Sequence, residues 1–517
     1  MSVPPNLSSA PRSAGASAGE QNAGASRTVW IYVWIGIGTA MFFYLHLFHF
    51  PSVPIFHGGN QALFLDHAEH MLHGEVLYRD LFQFNLPGTE YLYYILFRCL
   101  GVHLWIGAFA LLLAYSTIAL LIFSLSRMVL CGSATLLPVI AFLAICQRTS
   151  IDATHHWYST TIVLLAINLI ARESKSAGIA VAGALLGMAT VFTSSLGVSV
   201  ALGVSLFFVW RYRSWRNAVG SIVILLLPFG VVVGGMLAYL ARLVGPGTFF
   251  QSVLVFPLRY YSAGDGNSFS FFFLELQGIS PIRPGSVLVI ALWCAINAAV
   301  PIIFAVFVAR QFRNTKSDRD SRQSRILALY AFAGIFALLT VAASPSTPRL
   351  SSPAAFAYIL ATAMLQQFGL RRLLSSALAL AYLVALVEMV VAAVRPVYIL
   401  NGPRGAVAFL HQDVYEGYSQ FARYAKPGDL LFGDPEFNFI FGLGNPARIQ
   451  WVEPDAYTRP DQIRELVDTL KQHPTRFIIS PDGPHPNWED NLKPLRAYLR
   501  EHYHVLFGGI QESNPGS

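Results

Sequence analysis

Charge is scarce in this chain. Only 12% of its 517 residues are Asp, Glu, Lys or Arg, against 54% hydrophobic residues, whereas a soluble domain carries about 25% charged residues. That shortage, with a mean hydropathy of +0.51, argues for an integral membrane protein. Cysteine is scarce too. Cys99, Cys131, Cys146 and Cys294 fall in apolar segments without CxxC spacing, so they read as small core residues, neither a disulfide frame nor a zinc site. No Gly-rich phosphate loop follows a strand, which argues against a nucleotide site. No internal repeat or matched pair of broken helices of the transporter kind is present. The net charge of +7 sits mostly in loops between apolar runs and gives no argument for nucleic acid as a partner.

What is abundant is the apolar run of membrane-spanning length. A helix is the form in which such a run satisfies its own backbone in lipid. Spans are expected near 29–48, 103–126, 134–148, 155–171, 177–193, 195–210, 218–241, 285–310, 325–343, 352–368 and 373–394, about eleven crossings. The basic loops at 211–217 and 310–325 and the pair Arg371–Arg372 then share one side, which the positive-inside rule makes cytoplasmic. The loops at 57–91, 242–284 and 344–351 and the tail from 395 face outward.

The expected fold is therefore an all-α polytopic membrane protein with a small C-terminal α/β extracytoplasmic domain. Residues 1–27, rich in Ser, Ala and Gly, read as a disordered cytoplasmic tail, and the first span as an uncleaved signal anchor. Residues 28–395 form the membrane domain with an outer loop at 51–91, and 396–517 the outer domain. In that domain GPRGAVAFLHQDVYEGYSQFARYA reads as helical, DLLFGD and RFIISPD as short buried strands. RPDQIRELVDTLKQH reads as an amphipathic helix with Ile463, Leu466, Val467 and Leu470 on one stripe.

The outer loop concentrates the polar chemistry. His57, Asp66, Glu69, His70, His73, Glu75, Arg79, Asp80 and Glu90 lie within 57–91. Gln61 to His73 has helical character after Gly58–Gly59, and Gly74 ends the helix. The i,i+4 pairs Asp66/His70 and Glu69/His73 are neighbours on its surface. An extended segment, VLYRDLFQFNLPGTEY, follows, and Pro87–Gly88 turns the chain into the next helix. Arg79 and Asp80, adjacent in an extended segment, point to opposite sides, unless they form a structural ion pair. His67, His70 and His73 form an HxxHxxH row, but positions three apart drift around a helix, so a divalent metal site is not supported.

A first membrane helix, an outer loop reading "A..ML.GE..YRD", then "PG" before another helix, resembles the polyprenol-phosphate-sugar-dependent glycosyltransferases of the GT-C fold, which include protein O-mannosyltransferases and aminoarabinose and lipopolysaccharide-core sugar transferases. HHWYST at 155–160 is similar to a second polar element of that family. The resemblance implies transfer of a sugar from a polyprenyl phosphate carrier to a lipid, glycan or protein acceptor at the outer face, in a bacterial inner membrane. It also implies an aspartate base at position 60, where this chain has Asn60, an amide that takes no proton at neutral pH.

Asp80, Asp66 and Glu90 are then the candidates for the base. Asn60, Gln61, Arg79, His155, His156, Arg259 and Arg349 are candidates for binding substrate, the arginines as phosphate ligands. Asp152 reads as a helix cap or a partner of Arg148, and the aromatic 242–284 stretch and the acidic, Pro-rich tail loops as surface segments. The rival readings are a transporter or flippase of lipid-linked saccharides and a catalytically inactive relative.

Overall fold

The computed structural model describes residues 18–146, 151–172, 175–264, 284–313, 321–343, 347–480 and 490–514. Arg148, Asp265 and most of the SPDGPHPNWED loop lie outside them. The N-terminal apolar stretch forms α1 (Ala18–Leu47). Residues 18–27, expected to be disordered, are its first turns, because Ala, Glu and Gln there favour helix.

After α1 come two short helices, α2 (Gln61–Leu72) and α3 (Gly88–Leu100). The bundle continues with α4 (Trp105–Arg127), α5 (Leu137–Cys146), α6 (His155–Ala171), α7 (Ser176–Phe192), α8 (Ser194–Arg211) and α9 (Trp215–Val244). The short α10 (Pro246–Phe250) and α11 (Phe256–Arg259) flank a π-helical turn at Gln251–Val255. The long helices α12 (Pro284–Arg313), α13 (Arg322–Ala343), α14 (Thr347–Gln367) and α15 (Arg371–Val394) follow.

Helices thus lie at all eleven places the apolar runs indicate. Among the described residues seven are long and apolar enough to cross a membrane, while α5 and α7 are shorter apolar helices. The chain is an integral membrane protein, and the count of eleven crossings is larger than length and composition alone provide. Only 6% of the apolar window of α9 and 11% of that of α15 is buried, so their outward faces need lipid. Cys99 and Cys131 are exposed free thiols rather than the core residues expected from sequence. Cys99 lies in the last turn of α3, and Cys131 in the loop after α4, where its backbone is hydrogen-bonded to Gln366.

The bundle core is one apolar cluster. Phe43 stacks on Tyr115 at 4.0 Å, and Tyr115 meets Trp157 at 4.5 Å. Helices approach closely where glycine removes the side chain, as at Gly183 and Gly187 of α7 against α9.

From Tyr398 the chain is mixed α/β. Strands β3 (Tyr398–Gly402) and β4 (Gly405–Phe409) pair as an antiparallel hairpin, where helix was expected; helix is confined to α16 (Gln412–Phe421). The cause is the tight Pro403–Arg404 turn, closed by Gly405 at φ +115°, a left-handed position that suits glycine. A four-stranded sheet runs in the order β5 (Leu431–Phe432), β6 (Phe477–Ile479), β8 (Ile510–Ser513), β7 (Tyr503–Phe507), with only β5 and β6 parallel. Helices α17 (Pro435–Phe441), α18 (Pro460–Gln472) and α19 (Lys493–His502) pack around it. The stripe of α18 is buried as its periodicity requires, with Ile463 and Leu466 inaccessible.

The residues after α1 are stitched to this region. Short strands β1 (Phe48–His49) and β2 (Val53–Pro54) pair antiparallel. The next residue, Ile55, bridges Ala408, and the Phe56 N–H donates to the Ala408 carbonyl at 2.8 Å. Farther along, the Phe82 N–H donates to Arg448 O at 2.8 Å.

Candidate active site

The first loop turns at Gly58 (φ +67°) and Gly59 (φ +84°), conformations open to glycine at little cost. The turn lies between two carboxylates. A Cβ on Gly58 would stand 3.5 Å from Glu436 Oε1, and one on Gly59 would stand 3.5 Å from Asp152 Oδ2. Asn60 follows, exposed, at the N-cap of α2 without a capping hydrogen bond from its side chain.

Gln61 joins the loop to the second polar element. Its Oε1 accepts from the Ala153 N–H at 3.2 Å, while the Ala153 carbonyl accepts from Tyr93 Oη at 2.5 Å. Tyr93 in turn shares a 2.6 Å hydrogen bond with Tyr158. The peptide that carries Asp152 is therefore held on both sides, and its half-exposed carboxylate points at the glycine turn. His155 packs edge to face against Phe64 of α2, and its ring lies 4.0 Å from that of His156, tilted by 47°. Arg349, in the first turn of α14, acts electrostatically on both imidazoles. Asn60, Gln61, Asp152, His155, His156 and Arg349 thus neighbour one another around the glycine turn, the candidate vestibule.

Five of these are residues singled out from sequence as substrate contacts. Asp152 is the sixth, and its role was hidden because its local sequence reads as an ordinary cap. Glu436 is also new. Burial pushes its carboxyl up to about 7, aided by Asp434 and opposed by hydrogen bonds from Tyr418 (2.9 Å) and the Gly59 N–H. Its bonds hold the glycine turn in place. Nothing local in the sequence marks it.

The candidate bases of the first loop lie elsewhere. Asp80 is not in an extended strand but in a tight turn, where Tyr78 has φ +69° and its N–H donates to Leu81 O at 2.7 Å. Arg79 folds back onto Asp80 with bonds of 2.9 and 2.7 Å, and the Val76 N–H adds another at 2.9 Å. The Arg79 hydrogen bonds hold the Asp80 carboxyl below its ordinary range, which makes it a weak base. The opposed orientation expected for these neighbours is replaced by an ion pair, since the turn brings them to one side.

Asp66 is 1% exposed and Glu90 is 0% exposed. Glu90 accepts from Gln83 and stands 3.8 Å from His67. Asp66 accepts from Gln450 at 2.7 Å and faces His70 at 3.7 Å. Beside it Glu69 pairs with Arg404, whose guanidinium also donates to the carbonyls of Asn438 and Phe439. The acidic face of α2 is thus a docking surface for the C-terminal region, not an open face over the bundle.

His67, His70 and His73 diverge: His67 is buried, His70 bonds Glu75 at 2.7 Å, and His73 is the exposed helix C-cap. Among the described residues no group of three or more His, Cys, Asp or Glu is arranged to hold a metal. Arg259 is exposed, its guanidinium 5.6 Å over the Tyr260 ring.

Burial pushes the Asp66 carboxyl up to about 6 against the opposing pull of His70 and His67. For His70, burial works downward, yet Glu75, Asp66 and Glu69 together raise it. A raised carboxylate binds more protons folded than unfolded between its ordinary value near 4 and about 6, so stability falls as pH rises through that window. The His70 contribution, present below its ordinary value of 6.5, is likewise lost as pH rises through the raised value. We therefore expect the protein to melt higher at pH 5 than at pH 8. Asp66→Asn should flatten the step between pH 4 and 6 and gain on the order of 1–2 kcal/mol over wild type at pH 8. Parallel melting curves would speak against this.

No family model and no curated protein matches the chain. Among solved structures, it is similar to an oligosaccharyltransferase of Archaeoglobus fulgidus crystallised with zinc and sulfate, at 12% identity and a TM-score of 0.49, covering 86% of this chain and 67% of that one. A likeness at that level carries no weight for what this chain does.

Proposed function

We propose that the chain is a membrane glycosyltransferase of the GT-C type, which takes a sugar from a polyprenyl phosphate carrier and passes it to a hydroxyl on a lipid, glycan or protein acceptor. The observation that carries this reading is the vestibule itself: one fixed, solvent-reachable carboxylate faces an open amide loop, with a guanidinium and two imidazoles beside it. That is the set of groups an inverting transfer needs.

In this reading Asp152 takes the acceptor hydroxyl proton as the oxygen forms its bond to the anomeric carbon. The bond from that carbon to the carrier phosphate breaks, and the phosphate leaves with one more negative charge. Arg349, His155 and His156 meet that charge, and Asn60 and Gln61 hydrogen-bond the sugar hydroxyls. The carrier's isoprenoid chain lies among membrane lipids at the apolar bundle. The vestibule and the C-terminal α/β domain face outward, in a bacterial inner membrane with the N-terminus cytoplasmic.

The test is reconstitution with polyprenyl phosphate sugars and candidate acceptors. Transfer should survive Asp80→Asn and Asp66→Asn, since both carboxylates are committed to structural contacts, and Asn60→Asp should change the pH profile by adding a charge beside Asp152. Loss of turnover in Asp80→Asn with the fold intact would return the base to the first loop. Movement of intact carrier without transfer would favour a flippase.

A further inference from the structure

A second cavity lies where three distant parts of the chain meet: the first loop, the segment after α9 and the C-terminal region. It measures about 370 Å³, within the range of about 300–1,000 Å³ that small-molecule sites occupy. Phe82, half-buried, supplies its aromatic wall and is backed edge to face at 4.9 Å by the fully buried Phe256. Gln251 and Ser252 reach it from the π-helical turn, a rare backbone form found mostly at functional positions. Arg448 and Arg459 complete the polar side.

Both guanidiniums are held in place. Arg448 donates from Nε and Nη2 to Glu465, each at 3.0 Å, and lies 5.9 Å over the Phe82 ring. Arg459 pairs with Asp461 at 3.0 Å and lies 5.4 Å from the Tyr260 ring centre. Arg459 is half-buried, so part of its side chain remains within reach of a ligand.

These features select a ligand class. Each cation already has its own carboxylate, so the local charge is balanced and a bare anion gains little. A lipid chain would leave the Arg, Gln and Ser groups unmet. A sugar ring satisfies both halves of the wall. Its C–H face lies on the Phe82 ring, and its neighbouring hydroxyls match planar guanidinium and amide groups. We propose that this cavity binds a neutral saccharide, separate from the vestibule and independent of transfer there.

The full chain in detergent, titrated by calorimetry with neutral hexose oligosaccharides and separately with inorganic phosphate, tests this without turnover. The oligosaccharides should bind, and Phe82→Ala and Arg459→Met should each weaken binding by about tenfold or more, roughly 1.4 kcal/mol. Thr248 is exposed at the cavity rim, so Thr248→Trp fills the space without removing a wall group, and should abolish binding in a protein that still melts cooperatively. Three results would each overturn the proposal: no oligosaccharide binding to wild type, phosphate binding in preference to every neutral sugar, or binding unchanged by Thr248→Trp.

Discussion

Asp152→Asn is expected to lower the transfer rate by roughly 10²–10⁴-fold, the usual contribution of a positioned general base, while leaving the melting curve unchanged. The side chain is half-exposed, and the structure around it is fixed by backbone contacts that an amide does not disturb: Gln61 to the Ala153 N–H, Tyr93 to the Ala153 carbonyl, and the Thr154 N–H to the Asp152 carbonyl at 2.9 Å. Asparagine keeps the shape and removes the negative charge and with it the capacity to take a proton. The loss should lie in kcat more than in KM, because the proton moves in the transition state. A fall of less than about tenfold would place the base elsewhere, since general-base removal costs more than that. Gln61→Ala is a useful companion. It frees one side of the Asp152 peptide, so it should lower the rate without changing the pH at which activity rises.

The largest expected effect on the helix bundle is at Gly183. A methyl there would sit 1.9 Å from the Leu225 carbonyl oxygen and 2.8 Å from its carbon, and neither atom belongs to a flexible side chain. Four residues on, a methyl at Gly187 would lie 2.9 Å from the Phe229 oxygen. The pair is a GxxxG face, the spacing that lets two membrane helices approach backbone to backbone. Gly183→Ala must push α7 away from α9, at a cost of roughly 3 kcal/mol, read as a lower melting temperature in detergent. Gly220 on α9 has nothing within 4 Å of its added Cβ, so Gly220→Ala should stay within about 1 kcal/mol of wild type. Equal effects at both sites would mean that the close approach is not what holds the helices together.

The bundle was legible in the sequence because lipid imposes a simple rule, and runs of apolar residues mark helices without reference to anything far away. The α2 helix was legible for the same reason: its pattern and its closing Gly74 (φ +95°) are local signals. The site was legible only in part. Asn60, Gln61 and the histidine pair were found by resemblance, but Asp152 looks like a cap until Gly59 is seen against it. The partners of the first-loop carboxylates were out of reach of any periodicity argument. Gln450 is 384 residues from Asp66, and Arg404 is 335 residues from Glu69. In the charge cluster beside the bilayer, Asp66 and Glu69 form a joint with the C-terminal region, while Arg79–Asp80 and His70–Glu75 pair within the loop. The β3–β4 hairpin was missed because VYILNGPRGAVAF has no strict alternation, and only the Gly405 turn reveals it.

That joint has a consequence for how the protein is made. The first loop leaves the ribosome early, yet groups that shape it, Ala408, Glu436, Arg448 and Gln450, are synthesised only after the last helix of the bundle. Until they arrive, the glycine turn has only one of its two flanking carboxylates, and Asp66 and Glu69 lack their amide and guanidinium. A nascent chain stopped after α15 would insert its helices and still be idle. On the proposed function, the order of synthesis would delay competence to meet substrate until the C-terminal region has docked on the first loop.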